Sequence, residues 1–147
     1  MMRITALLII SLVLLPCLGF ATGPINSWPN TEELLDSVRL VVDDQEKSVD
    51  WLQVASAITR LGELRVPQAQ SLLIGILRRE TPIRVVEGAS LPGIMPPLEM
   101  LKAAAIDALV KLGDKESLPE IERIAHTTGF EVLREKAKGA LLAIQQQ

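Results

Sequence analysis

Ala104-Ala105-Ile106-Asp107-Ala108-Leu109-Val110-Lys111-Leu112-Gly113-Asp114 decides how this chain is read, because the motif appears elsewhere in it. Ala57-Ile58-Thr59-Arg60-Leu61-Gly62-Glu63-Leu64 has the same order of small, apolar and charged residues. Leu133 to Ile144 is a third copy of the first half. Ala57 and Ala105 stand 48 residues apart, and Leu109 and Leu141 stand 32 apart. Spacings of this size belong to stacked helical hairpins, each of which buries its apolar face only against its neighbours.

Working outward, apolar residues recur at helical spacing in six places. Leu34, Leu35, Val38, Val41 and Val42 predict a helix from about Thr31 to Asp43, with Asn30 and Glu33 at capping-box spacing. A polar break at 43–47 follows. The second helix starts near Ser48 and carries Trp51, Leu52, Ala55, Ile58 and Leu61. Pro67 suits the first turn of a third, which carries Ala69, Leu72, Leu73, Ile76 and Leu77. The fourth runs through Leu98, Leu101, Ala105, Ala108, Leu109 and Leu112 to a terminal Gly113. Leu118, Ile121, Ile124 and Ala125 mark the fifth, and Leu133, Ala137, Ala140, Leu141 and Ile144 the sixth. Strict alternation occurs only from Ile83 to Val86, so the fold class is all-α.

These units resemble HEAT-like repeats, in particular the bacterial kind that includes the PBS-lyase type. The segment ending in Gly113-Asp114 matches that pattern closely, and Leu133-Arg134 matches the opening of such a unit. The resemblance covers about 48–147 and implies a short α-solenoid of about three stacked hairpins. The earlier unit departs from the pattern, since Arg65-Val66 stands where Gly-Asp is expected, so the family's turn aspartate carries over only to Asp114. The resemblance also implies that the second helix of each hairpin lines a concave side, here near Pro67 to Arg79 and Lys115 to His126. Gln70, Ile74, Arg78, Glu122 and Arg123 are its non-core residues. Some such repeats occur in lyases that attach bilin pigments, but this chain has no tyrosine, and its one cysteine is Cys17.

The beginning of the chain reads differently. Arg3, an apolar run from Ile4 to Leu15 and the small residues Gly19 and Ala21 have the order of a secretory signal peptide at 1–21, cut after Ala21. An uncleaved anchor competes, but Pro16 and Gly19 interrupt the run. Lipidation at Cys17 would want a small residue where Pro16 stands. Cleavage leaves 126 residues with 14 basic and 18 acidic side chains, enough for one domain with a core. Residues 22–30 are an extended lead-in, and 31–147 form the repeat domain. The expected location is exported, periplasmic or secreted.

The acidic balance argues against nucleic acid, and membrane contact is expected only if the first segment is retained. His126 is the single histidine and the exported part has no cysteine, so neither a metal nor a cofactor is expected. Asp43, Asp44 and Glu46 lack the spacing and glycine of a calcium loop. There is no glycine-rich phosphate loop or nucleophile turn, so no catalytic residue is assigned.

The segment 80–97 is too long for a simple hairpin connection and carries Ile83, Val85, Val86, Leu91, Ile94 and Met95. These pack back on the helices or face a partner; packing is the preferred reading, and a loop anchored by some can present others. Arg78, Arg79 and Arg84 make the only basic concentration, suited to carboxylates of a protein partner. The expected partner-binding set is therefore Arg78, Arg79, Arg84, Ile94, Met95, Ile74 and Arg123. The expected function is a noncatalytic adaptor or scaffold that binds a protein partner through its concave helices and the loop at 80–97; the alternatives are an accessory subunit of an envelope enzyme or a self-assembling structural subunit, and a homo-oligomer is compatible with either.

Overall fold

The computed structural model describes residues 30–43, 46–86 and 95–147. The expected signal segment, the lead-in up to Pro29, Asp44, Leu91 and Ile94 lie outside the described residues. Within them the chain is all-helical, with six α-helices: α1 (Thr31–Asp43), α2 (Trp51–Glu63), α3 (Gln70–Arg78), α4 (Pro97–Leu112), α5 (Leu118–Thr127) and α6 (Glu131–Gln145). A 3₁₀ turn at Pro67–Ala69 leads into α3.

Local chemistry sets most of these boundaries. Asn30 Oδ1 accepts the Glu32 amide at 3.3 Å, opening α1. Asp50 caps α2, its Oδ1 accepting the amides of Leu52 at 3.1 Å and Gln53 at 3.3 Å. The helix starts at Trp51, the first residue of its apolar stripe and three residues after the expected start near Ser48, because Val49 is committed to another partner. Its amide donates to the Arg84 carbonyl at 2.9 Å, and its carbonyl accepts the Val86 amide at 3.2 Å. This isolated parallel bridge between Val49 and Val85 is all that comes of the alternating stretch.

The ends of α2 and α4 show the internal correspondence at backbone level. After α4, Gly113 adopts φ +68°, its amide reaches the Val110 carbonyl at 3.1 Å, and the Asp114 amide reaches that of Leu109 at 3.2 Å. After α2, Arg65 adopts φ +51°, its amide reaches the Gly62 carbonyl at 3.1 Å, and the Val66 amide reaches that of Leu61 at 3.1 Å. Both are the same left-handed helix terminus, which glycine adopts without strain and arginine does not. The departure of Arg65-Val66 from the pattern is one of side chains, not of backbone.

Packing proceeds in two series. α2, α4 and α6 contact one another in order, as do α1, α3 and α5, and α1 meets α2, α3 meets α4, and α5 meets α6 across the interface. Each series has a glycine that admits a close neighbour, the Ala108 backbone and methyl group at Gly62 and the Val42 side chain at Gly75. A Cβ on Gly62 would lie 2.7 Å from the Ala108 Cα, and one on Gly75 would lie 2.9 Å from Val42 Cγ1. Between the series lies one apolar core that includes Leu35, Ile58, Leu73, Ile76, Leu101, Ile106, Leu109, Ile121, Leu133 and Ile144, all buried. Ile83 and Met95, from the two ends of the long connection, pack against it, whereas Val86 is exposed.

Candidate functional site

Helix α3 buries Leu73, Ile76 and Leu77, and this stripe turns Gln70, Ser71, Ile74 and Arg78 toward the other side. Helix α5 does the same, burying Ile121, Ile124 and Ala125 while Glu120, Glu122 and Arg123 point away from the core. The two helices are in contact, so their polar sides form one surface.

Glu120 organises one end of this surface. Its Oε1 accepts Arg78 Nε at 2.7 Å and its Oε2 accepts Arg123 Nε at 3.0 Å, so one carboxylate joins α3 to α5. Arg123 also donates through Nη2 to the Leu77 carbonyl at 2.8 Å, close to the end of α3. Hydrogen bonding from Arg78, with a smaller share from Arg123, holds the Glu120 carboxyl below the usual carboxylate range against the opposing effect of burial. Arg78 remains 66% exposed at its side chain while Glu120 is 17% exposed.

Gln70 organises the other end. Its Nε2 donates to Asp114 Oδ1 and to Glu116 Oε2, each at 2.9 Å, tying the first turn of α3 to the connection between α4 and α5. Asp114 is buried; its Oδ1 also accepts the Glu116 amide at 2.9 Å, and its carbonyl accepts Ser117 Oγ at 2.8 Å. Among the described residues its Oδ2 is buried without a partner. Between these ends runs a groove of about 450 Å³, lined by Pro67, Gln70, Ser71, Ile74, Arg78 and Glu116. A neighbouring cleft of about 390 Å³ continues past Gln70 to Arg65 and Asp114.

The structure thus brings Ile74, Arg78 and Arg123 onto one surface and separates the rest of the expected set from them. Arg79 is 9% exposed and faces inward, contrary to a role at a partner's surface. Its guanidinium donates to the carbonyls of Val41, of Thr81 at 2.9 Å and of Pro82 at 3.4 Å, pinning the start of the long connection to α1. Five donors on a planar fork can satisfy several carbonyls at once, which makes a buried arginine tolerable. Arg84 is exposed beside the Val49 pairing, with Nη1 3.4 Å from the Glu46 carbonyl. Met95 is half-buried against the core, and Ile94 lies outside the described residues.

Glu120, Glu116 and the linkage of Gln70 to Asp114 stand outside the expected partner-binding set. The spacing of Glu120 and Arg123, three apart on one helix, was the available signal for the first. Elsewhere, Lys102 pairs with Glu99 at 3.2 Å beside a third cleft of about 260 Å³, and His126 is exposed in the last turn of α5. Among the described residues no cluster of three or more histidine, cysteine or acidic side chains could hold a metal ion, and no helix is long and apolar enough to cross a membrane. Compared with protein-family models, curated proteins and solved structures, the chain has no match.

Proposed function

We propose that this chain is an exported, noncatalytic protein-interaction module, built as a short solenoid of HEAT-like hairpins, that binds a protein partner on the surface shared by α3 and α5. The observation that carries this reading is the groove between Gln70 and Arg78. Its wall comes from one unit and the groups that brace it, Glu116 and Glu120, come from the next. A surface assembled across consecutive units is the usual use of stacked hairpins, and helices already packed lose little freedom on binding.

The serial packing of α2, α4 and α6 and of α1, α3 and α5, together with the repeated left-handed terminus, supports the solenoid reading. Export rests on the charge, apolar and small-residue order of 1–21.

The test places a photo-crosslinking amino acid at Ser71, in the groove, or at Ser56, on the exposed side of α2, in the full chain expressed in its native cell envelope. A discrete protein adduct through position 71 and none through 56 is the expected result. No adduct at 71, or the same adducts at both positions, would overturn the assignment of this surface.

A further inference from the structure

The two ends of the groove differ in charge, and α3 runs from Gln70, which holds one charged group, to Arg78, which is the other. Arg78 is at one end. Among the described residues it spends only Nε, on Glu120, so its terminal nitrogens remain for a second carboxylate in the two-pronged geometry guanidinium favours. Glu116 is at the other end, exposed, with one carboxylate oxygen engaged by Gln70 and the other without a partner among the described residues. Ile74, half-buried, stands midway along α3, flanked by the Ser71 hydroxyl.

Gln70, which holds Glu116, and Arg78 are separated by eight helical rises of about 1.5 Å, or about 12 Å along α3. In an extended peptide, residues i and i+4 lie about 13 Å apart on the same face, with i+2 between them. The match in length and the opposed charges define an occupant.

We propose that the groove takes an extended peptide segment of a partner protein in which an acidic and a basic residue, four apart, flank an apolar residue at the middle position. The acidic side chain sits on Arg78, the apolar one on Ile74 and the basic one on Glu116. The chain direction is the one variable the groove leaves open. This deepens the reading of the α3–α5 surface as a partner site and rests on it.

The experiment is fluorescence anisotropy with the full chain and labelled heptapeptides. The two probes are Gly-Asp-Ser-Leu-Ser-Lys-Gly and Gly-Lys-Ser-Leu-Ser-Asp-Gly, which present the pattern in opposite directions, and the control, Gly-Ser-Asp-Lys-Leu-Ser-Gly, places the charges side by side. One probe should bind at least about tenfold more tightly than the control, and Arg78→Gln and Glu116→Gln, each verified as helical by circular dichroism, should each remove most of that preference. Equal binding of all three peptides, or a preference unchanged in both variants, would overturn the proposal. A partner adduct through position 71 alongside that result would leave the interaction reading standing without this peptide, whereas a peptide preference with no such adduct would count against the interaction reading.

Discussion

Gly62 lies so close to Ala108 that a Cβ added to it would come 2.7 Å from the Ala108 Cα and 2.8 Å from its Cβ. At this point α2 and α4 are in close approach, and only backbone and a methyl group are in the way. Replacing a helical glycine with alanine ordinarily gains about 0.5–1 kcal/mol, but overpacking against rigid backbone costs about 1–3 kcal/mol. The second effect wins, so Gly62→Ala should lower stability. Gly139, within α6 and with open space where its Cβ would be, is the control: Gly139→Ala should raise stability by about 0.5–1 kcal/mol. Urea unfolding of both variants decides the matter, and the same sign in both would disprove the close approach.

Leu109→Ala should cost about 2–5 kcal/mol, because Leu109 is fully buried between the two helix series and truncation leaves a cavity. A loss under about 0.5 kcal/mol in denaturant unfolding would place that side chain outside the core.

Arg65 occupies the left-handed position that Gly113 fills after α4. Relief of that conformation is worth about 1–2 kcal/mol, and the extra freedom glycine brings to the unfolded chain takes back about 0.4–1 kcal/mol. Arg65→Gly should therefore stabilise by several tenths of a kcal/mol or more, and Gly113→Ala should destabilise. Thermal melts that moved the other way would mean the two termini are not equivalent.

Arg79→Met keeps much of the length of the side chain but removes the donors to Val41, Thr81 and Pro82. Hydrogen bonds from a charged donor are worth about 1.5–3 kcal/mol each, and with three removed the loss should be at least the value of one. Arg79→Lys should recover only part of it, since an ammonium cannot span carbonyls arranged for a planar fork. Chemical unfolding measures both; full rescue by lysine would show that charge alone matters.

Glu120 has a folded-state pKa depressed by Arg78 and Arg123. A depressed carboxylate contributes stability that is present above its unfolded pKa, about 4.3, and is lost as pH falls through the lower folded value. Glu120→Gln should therefore reduce stability at pH 7 and flatten the acid side of the stability profile, with the variant and the parent converging as the pH falls through the depressed folded-state value. Parallel profiles across that range would mean that the arginine contacts contribute nothing in solution.

What the sequence alone determined was periodic or local. Helix α1 is found from Thr31 to Asp43 as its stripe predicts, and Leu109, Ile121, Leu133 and Ile144 are buried where helical spacing puts them. Gly113 ends α4 because a glycine after the last apolar turn is a local signal. Tertiary structure decided what depends on residues distant in the chain. Arg79 adjoins Arg78, yet it is buried because the carbonyls of Val41, Thr81 and Pro82 converge on it, while Arg78, one position earlier and about 100° around the helix, faces outward. Helix α2 begins at Trp51, after the Asp50 cap, and not near Ser48 because Val49 pairs with a segment more than 30 residues away. The groove exists only because packing brings Gln70 to Glu116 and Arg78 to Glu120, across 46 and 42 residues of sequence. Helical periodicity reports which face of each helix is buried, but the partner across an interface is set by the order and angle of stacking, which no single stretch of sequence carries.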